Sequence, residues 1–357
     1  MGGWQAWARG ALAALGAALV AATLLPLLQV DWWWVRVLDF PRPQICVALA
    51  VTLAAWIGLG PGGWPARGLA LAMLAALGWQ GAKIVPFTPL WHAGLSAAEA
   101  DDRDRCFGVL TANVLMGNDE AGPLLAAIER HDPDMLLLLE TDAAWLERVA
   151  ELAERYPHAT EHPQDNYYGL AFYTRLRVLE AEVRALVEPE VPSIRARLAT
   201  RDGRPFTFYG VHPRPPTPGV DTDERDAELI MVAREMEAAG TPAVVAGDLN
   251  DVAWSRTTEM FRRIAGALDP REGRGLYASY HAQNPLMRWP LDHVFVSTHF
   301  ELGSLEVLGD VGSDHFPILT RLCATDEAPV ENIPPAPADA ELEAEADEAV
   351  EEGRTPD

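Results

Sequence analysis

Long uncharged stretches fill the first hundred residues, after which the chain changes to short apolar runs that mostly end in a polar group. The first stretch runs from Gly10 to Val30, between Arg9 and Asp31, and as a helix its 21 residues would reach roughly 30 Å, the thickness of a bilayer core. A second lies between Arg42 and Arg67, with its apolar centre from Ile45 to Leu59 and a stop at Pro61-Gly62-Gly63. A third runs from Gly68 to Ala82 and continues to Phe87 if Lys83 snorkels. This spacing predicts three transmembrane helices within residues 1–92, followed by a linker at 93–103. The first stretch alone also fits a secretory signal, but its length and the two spans behind it favour retention. Trp32-Trp33-Trp34 suits the headgroup layer, where indole rings are enriched.

From residue 104 to 323 the pattern is globular. Apolar runs at Cys106–Asn113, Met135–Leu139, Ser193–Thr200, Pro205–Val211 and Asp292–Ser297 read as strands, as do Tyr167–Arg175 and Leu276–His281. Asp202-Gly203 marks a hairpin between two of them. Helical periodicity appears over about Gly122–Arg130, Ala143–Arg155, Asp223–Ala239 and Thr257–Ile264. Strands alternating with helices indicate an α/β layered domain.

The strand ends carry the chemistry. Val244-Val245-Ala246-Gly247-Asp248-Leu249-Asn250 ends in a carboxylate and a carboxamide two positions apart, which a strand presents on one side. A carboxylate can orient or deprotonate a water, and an amide can donate to a developing oxyanion. The other runs deliver Asn113, Glu140, His212 and Asp292, while Ser313-Asp314-His315 precedes Phe316–Leu319. Each residue alone has a plain structural reading: Asn113 as a turn residue, Glu140 as a helix-start charge, His212 as a loop histidine. His293 is read as structural, because a strand that turns Asp292 toward the site turns its neighbour away.

Asn113, Glu140, His212, Asp248/Asn250, Asp292 and Asp314/His315, in this order and at these run ends, resemble the endonuclease/exonuclease/phosphatase superfamily. The resemblance covers roughly residues 104 to 323 and includes Gly169-Leu170-Ala171-Phe172-Tyr173-Thr174-Arg175, similar to the family's G-x-A-x-x-S/T-R segment. It implies a four-layered α/β sandwich of the deoxyribonuclease I type, here in a membrane-anchored member of bacterial type. It also implies a divalent-metal hydrolase in which Glu140 is the principal metal ligand, with Asn113 and Asp314 beside it. Oxygen ligands suit Mg²⁺ or Mn²⁺, and no Cys/His pattern for zinc appears. By the same resemblance Asp248 activates the water, Asn250 and His212 donate to non-bridging oxygens, His315 contacts the scissile phosphate, and Asp292 pairs with His315. Arg175 and Arg288 are candidates for phosphate binding, with surface salt bridges as the alternative. Abasic-site endonucleases carry an acidic residue where this chain has Leu115 and a tyrosine where it has His212, which disfavours DNA repair.

The family's fold makes the first and last strands neighbours, so Cys106 and Cys323 are a disulfide candidate, against two unrelated buried thiols. A structural disulfide implies an oxidising compartment and an extracytoplasmic catalytic domain. The arginine distribution mildly favours the opposite orientation.

Charge narrows the substrate. The formal charge is −24, and residues 324–357 hold −11 of it, leaving −13 on the rest. Proteins gripping long nucleic acids usually present a basic face, and none is evident. The family's nuclease-like pattern favours phosphodiesterase or nuclease action on a phosphoester, nucleic acid or lipid and small molecule alike, whereas the acidic body and the bilayer anchor favour a lipid or small-molecule substrate. A lipid-headgroup or small-molecule phosphatase is the alternative, and a catalytically silent binding protein on the same fold is the reading from another class. The lipid bilayer is the implied partner, with no obligate protein partner evident. The acidic, proline- and alanine-rich tail, 324–357, is expected to be disordered, with a short helix near Ala340–Val350 as the competing reading.

Overall fold

The computed structural model describes residues 3–99 and 102–355. Its helical N-terminal part contains α1 (Gly3–Leu24), α2 (Trp33–Arg36), α3 (Arg42–Gly58) and α4 (Trp64–Ile84). Two helical segments, Gly3–Leu27 and Trp64–Phe87, are long and apolar enough to cross a membrane. The middle span expected from the sequence is met differently. Helix α3 has 17 residues and a rise of about 26 Å, and it reaches spanning length only together with Trp33–Asp39, from which it is bent by 72°. Helices α1, α3 and α4 pack through Ile45, Leu49, Trp56, Met73 and Ala76, while Val47, Val51, Ile57, Leu71 and Leu74 face outward.

Two sheets follow. The strands are β1 (Cys106–Asn113), β2 (Met135–Leu139), β3 (His158–His162), β4 (Leu170–Thr174), β5 (Arg177–Ala185), β6 (Pro192–Ala199), β7 (Pro205–Val211), β8 (Ala243–Asp248), β9 (Asp292–Val296), β10 (Phe300–Val307) and β11 (Ile318–Ala324). They form one sheet in the order β10-β11-β1-β2-β4-β3 and another in the order β5-β6-β7-β8-β9. Alternation assigns the faces. Phe107, Val109, Leu137 and Phe172 from the first sheet meet Ala196, Phe206, Phe208, Val244 and Val294 from the second, with Phe107 and Phe206 stacked at 4.7 Å. The opposite face of the first sheet is covered by α5 (Gly122–His131) and α6 (Ala143–Arg148) through Leu124, Ile128 and Trp145. The outer face of the second packs on α7 (Asp223–Ala239) and α8 (Arg256–Ala265) through Leu229, Val232 and Phe261. The result is the four-layered α/β sandwich. Helix starts follow local chemistry: Asp142 accepts from Trp145 N at 2.7 Å and Ser255 from Thr258 N at 3.0 Å, which satisfies amides the helix leaves open.

Several sequence expectations are corrected. Leu276–His281 is no strand; only Tyr280 bridges, to Trp289 and His315. The helix expected over Ala143–Arg155 breaks after Arg148 and resumes as a 3₁₀ turn, Ala150–Glu154. Strands β3 and β5 went unread because they are edge strands and largely exposed, so little apolar alternation betrays them; β10 is also an edge strand and buries Phe300 and Leu302, but its alternation breaks at the bulge between Leu302 and Ser304. Part of the linker docks, with Ala97 bridging Leu302 in β10; residues 100 and 101 of it lie outside the described residues.

The tail is the largest correction. Residues Ala340–Gly353 form α9, which lays Leu342, Ala346 and Ala349 on the layer of α7 and α8. A Cβ at Gly353 would meet Asp223 O at 2.3 Å, so the helix end approaches α7 as only glycine allows. Arg234, Arg256 and Arg263 pair with Asp347, Glu345 and Asp339. Apolar burial and basic partners on the domain, neither visible in the tail's own composition, order it.

Candidate active site

The inner faces of both sheets end in polar groups at one rim. Val244 and Ala246 point between the sheets, and two positions on so does Asp248; by the same parity β7 brings His212 and β9 brings Asp292. Gly247 is needed for this approach, since a Cβ there would lie 1.8 Å from Val211 O. Parity would send Glu140, next after Leu139, to the helix side. Its positive φ of 63° turns the chain instead, and Asn113 Nδ2 donates to Glu140 Oε1 at 2.8 Å. Asn250 and Leu115 also hold left-handed conformations, φ 50° and 58°. Such non-glycine backbone is costly and survives where the surroundings enforce it. Leu115 N donates to Asn113 Oδ1 at 3.0 Å, and Asn250 N to Asp248 Oδ1 at 3.0 Å.

Asp248 is the centre. It is 1% exposed, and Oδ2 accepts from Asn113 Nδ2 at 3.2 Å and lies 3.5 Å from His315 Nε2 and 3.7 Å from His212 Nε2. His315 Nδ1 stands 2.8 Å from Asp292 Oδ2. Asn250 Nδ2 donates to Pro213 O at 2.9 Å, leaving its second N–H for a ligand. Tyr280 covers His315 with ring centroids 4.8 Å apart, and Tyr168 flanks His212 at 5.8 Å.

These neighbours set the charges. Burial opposes a charged His315, but the carboxylates of Asp248 and Asp292 overcome it and raise the imidazole to about 10. His212 moves the other way, because burial pushes it below the usual range. The two histidines thus divide into a cation and a neutral ring. Burial raises Asp248, against the pull of His315. Glu140 is likewise raised by burial and by the charges of Asp248 and Asp314, against the hydrogen bonds from Asn113 and Met116 N.

Asp248, Asp292 and His315 offer three potential metal-ligand atoms within 4.8 Å of one another. A ligating imidazole must be neutral, whereas this ring is a cation bridging two carboxylates. Glu140 fits better. Its charge is crowded by Asp248 and Asp314, repulsion that a divalent cation would relieve, and the donor set is oxygen-rich. Asn113 now turns Nδ2 toward both carboxylates, so ligation would require its amide to present Oδ1.

Arg175 is elsewhere. It lies beyond the far end of β4, paired with Asp132 at 2.8 Å and bound to Pro133 O at 2.7 Å, so the salt-bridge alternative describes it and the phosphate role does not. Arg288 is near the site, but Nη2 donates to Ala282 O at 2.6 Å and the guanidinium lies over Phe316 at 4.9 Å. His293 faces away, bound by Asp251 O at 2.9 Å and by Arg271. Cys106 and Cys323, register partners at the end of β1 remote from Asn113, form a disulfide.

Sequence reasoning missed the support beneath the site. Buried Arg225 donates to Asn250 O at 3.0 Å and pairs with Asp226 at 2.7 Å, holding the turn that carries Asn250. Asp251, raised to about 6 by burial against the pull of Arg225, anchors Ser255. Its place directly after Asn250 was the available signal.

A model of the Endonuclease/Exonuclease/phosphatase family matches residues 110–315. No curated protein matches the sequence. Among solved structures, TDP2 from D. rerio complexed with single strand DNA product is 18% identical with a TM-score of 0.52, covering 61% of this chain and 99% of that one. An endonuclease/exonuclease/phosphatase family protein from Bacteroides thetaiotaomicron is 20% identical with a TM-score of 0.50, covering 62% of this chain and 98% of that one. At such identities the likeness is one of fold. The family match, running from Leu110 to His315 and so spanning more than half of the chain, agrees with the sandwich and with the polar rim, and the chain belongs to the endonuclease/exonuclease/phosphatase family.

Proposed function

We propose that the protein is a membrane-anchored, divalent-metal-dependent phosphoester hydrolase, with α1, α3 and α4 as the anchor. The observation that carries it is the bridge from Asp248 through His315 to Asp292, at 3.5 and 2.8 Å. This bridge sets a carboxylate able to orient water beside a cation able to receive a phosphoryl oxygen. Asp248 aligns the attacking water and takes its proton. His315, held charged by the two aspartates, donates Nε2–H toward the phosphate. His212 Nε2 and the free N–H of Asn250 donate to the other non-bridging oxygens. Mg²⁺ or Mn²⁺ held by Glu140, with Asn113 and Asp314 completing the oxygen set, would supply neutralising charge to the phosphoryl group and the leaving oxygen.

The disulfide supports an extracytoplasmic catalytic domain. The test is hydrolysis of bis-p-nitrophenyl phosphate, plasmid DNA, RNA, sphingomyelin and phosphoinositides by the purified full chain with Mg²⁺ or Mn²⁺. Loss with a chelator and with His315→Ala is expected. Full turnover by His315→Ala or Asp248→Ala would overturn the mechanism.

A further inference from the structure

The wall of the cleft and the first turn of a membrane helix are one structure. Tyr280, which covers His315, pairs with Trp289, and between them residues 281–288 loop outward around the turn Pro285–Met287. At the tip Leu286 is 80% exposed and Met287 47%. The loop is pinned to α3: Gln44 Nε2 donates to Leu286 O at 2.9 Å, and Trp289 Nε1 donates to Gln44 Oε1 at 3.4 Å. Phe40 packs edge-on against Trp289 at 5.7 Å. Gln44 is the third residue of a helix that runs apolar to Gly58, so the exposed tip sits level with the point where that helix leaves the domain. Helix α4 ends in the same layer, where Ile84 and Phe87 join Phe40, Trp289 and Tyr280 in one cluster.

We infer that Leu286 and Met287 enter the headgroup layer of the bilayer that α1, α3 and α4 cross, and that the substrate is a phosphoester carried by a lipid in that layer. This rests on the hydrolase reading above and names its substrate class. Two exposed apolar side chains on a loop hydrogen-bonded to the first turn of a membrane helix are matched by lipid and not by water. A chain of net charge −24 is poorly suited to grip a long polyanion. Part of the contact between the bundle and the domain, at Thr222, Trp254 and Leu286, lies beside the rim holding Asn250 and His315, and the rest lies at Glu259, Gly273 and Glu345, while the disulfide lies at the other end of β1. A headgroup phosphoester therefore reaches Asp248 without leaving the membrane surface. Water adds to phosphorus, one P–O ester bond breaks, and the released alcohol departs with a proton.

The test uses the full chain in phosphatidylcholine nanodiscs doped with sphingomyelin or phosphatidylinositol 4,5-bisphosphate. In a Cys46→Ser background, an environment-sensitive dye on Leu286→Cys should shift its emission to the blue and be quenched by brominated phosphatidylcholine; water-like, unquenched emission overturns the inference. The double substitution Leu286→Glu, Met287→Glu should slow cleavage of the doped lipid at least about tenfold and leave bis-p-nitrophenyl phosphate turnover unchanged. Lipid cleavage at the wild-type rate by that variant, or a wild type that cleaves the soluble ester and no doped lipid, overturns the inference and leaves the hydrolase reading standing. A wild type that cleaves neither overturns both.

Discussion

Asp248 and Asp292 are register partners across β8 and β9, and the ring of His315 lies between them, 3.5 Å from the first and 2.8 Å from the second. Two carboxylates directly opposite on a sheet repel, and a cation between them converts the repulsion into a clamp. Asp292→Asn removes one jaw. The imidazole then loses its orientation and part of the support that raises it to about 10. Turnover should fall about 100-fold or more, and the alkaline limb of the pH–rate profile should move to lower pH. An unchanged profile in steady-state assays would mean that Asp292 does not hold the proton on His315.

Glu140→Gln keeps the shape of the side chain and removes its charge. Asn113 and Met116 N still find an acceptor, so the fold should hold while the half-saturating Mg²⁺ or Mn²⁺ concentration rises about tenfold or more. Activity at saturating metal should partly recover. Titrating metal against initial rate, with calorimetry for binding, separates this from His315→Ala, whose loss no metal concentration restores.

Alternation made the fold and much of the site legible. The parity that turns Val244 and Ala246 inward also turns Asp248 inward, and the same counting placed Asp292 inside and His293 outside. Glu140 was found by its position after an apolar run, not by parity, because the turn at φ 63° that redirects it leaves no mark in residue type. Arg175 could not be placed, since a basic residue ending a strand looks the same at either rim. Tyr280 was not singled out, because it sat inside the segment Leu276–His281 read as a strand. Arg225 was hidden in an ordinary charged helix start beside its partner Asp226, and its other partners Asn250 and Asp251 meet it only in three dimensions.

His293 should make the protein acid-sensitive. Burial, with the charge of Arg271 beside it, depresses the ring to about 3, below its ordinary value of about 6.5. Above that ordinary value the ring is neutral folded and unfolded, and no stability depends on it. As pH falls below it the unfolded chain takes up the proton first, so stability declines until the folded ring also titrates, near 3. His293→Gln should flatten this decline between about pH 6.5 and 3 in denaturant melts followed by tryptophan fluorescence. An equally steep decline would assign the sensitivity to other groups.

The Cys106–Cys323 bond closes a span of 217 residues at the end of β1 away from Asn113. Replacing both cysteines with serine should cost about 2–5 kcal/mol, read as a lower midpoint in thermal unfolding of detergent-solubilised protein. The rate per folded molecule should be unchanged, because the bond lies at the end of β1 opposite Asn113 and the rim. Equal loss of activity and stability would indicate that the strand end transmits to the rim.

The acidic tail gives the sharpest contrast between composition and packing. A free, disordered tail predicts that shortening it changes nothing. Leu342 is 1% exposed and sits with Ala346 in the cluster that contains Leu229, Val232 and Phe261, so Leu342→Ala should cost about 2–5 kcal/mol as a cavity in that layer. The 14 residues of α9 are marginal as an isolated helix, which below about 12–15 residues rarely persists in water, and their crowded glutamates repel one another. A peptide of residues 338–355 should therefore show little helix by circular dichroism at neutral pH, while the same segment in the full chain should protect its amides from hydrogen exchange. The helix is then a product of α7 and α8 and of the arginines that meet it, Arg234, Arg256 and Arg263. A Leu342→Ala protein as stable as the parent, with freely exchanging amides across Ala340–Gly353, would restore the disordered tail.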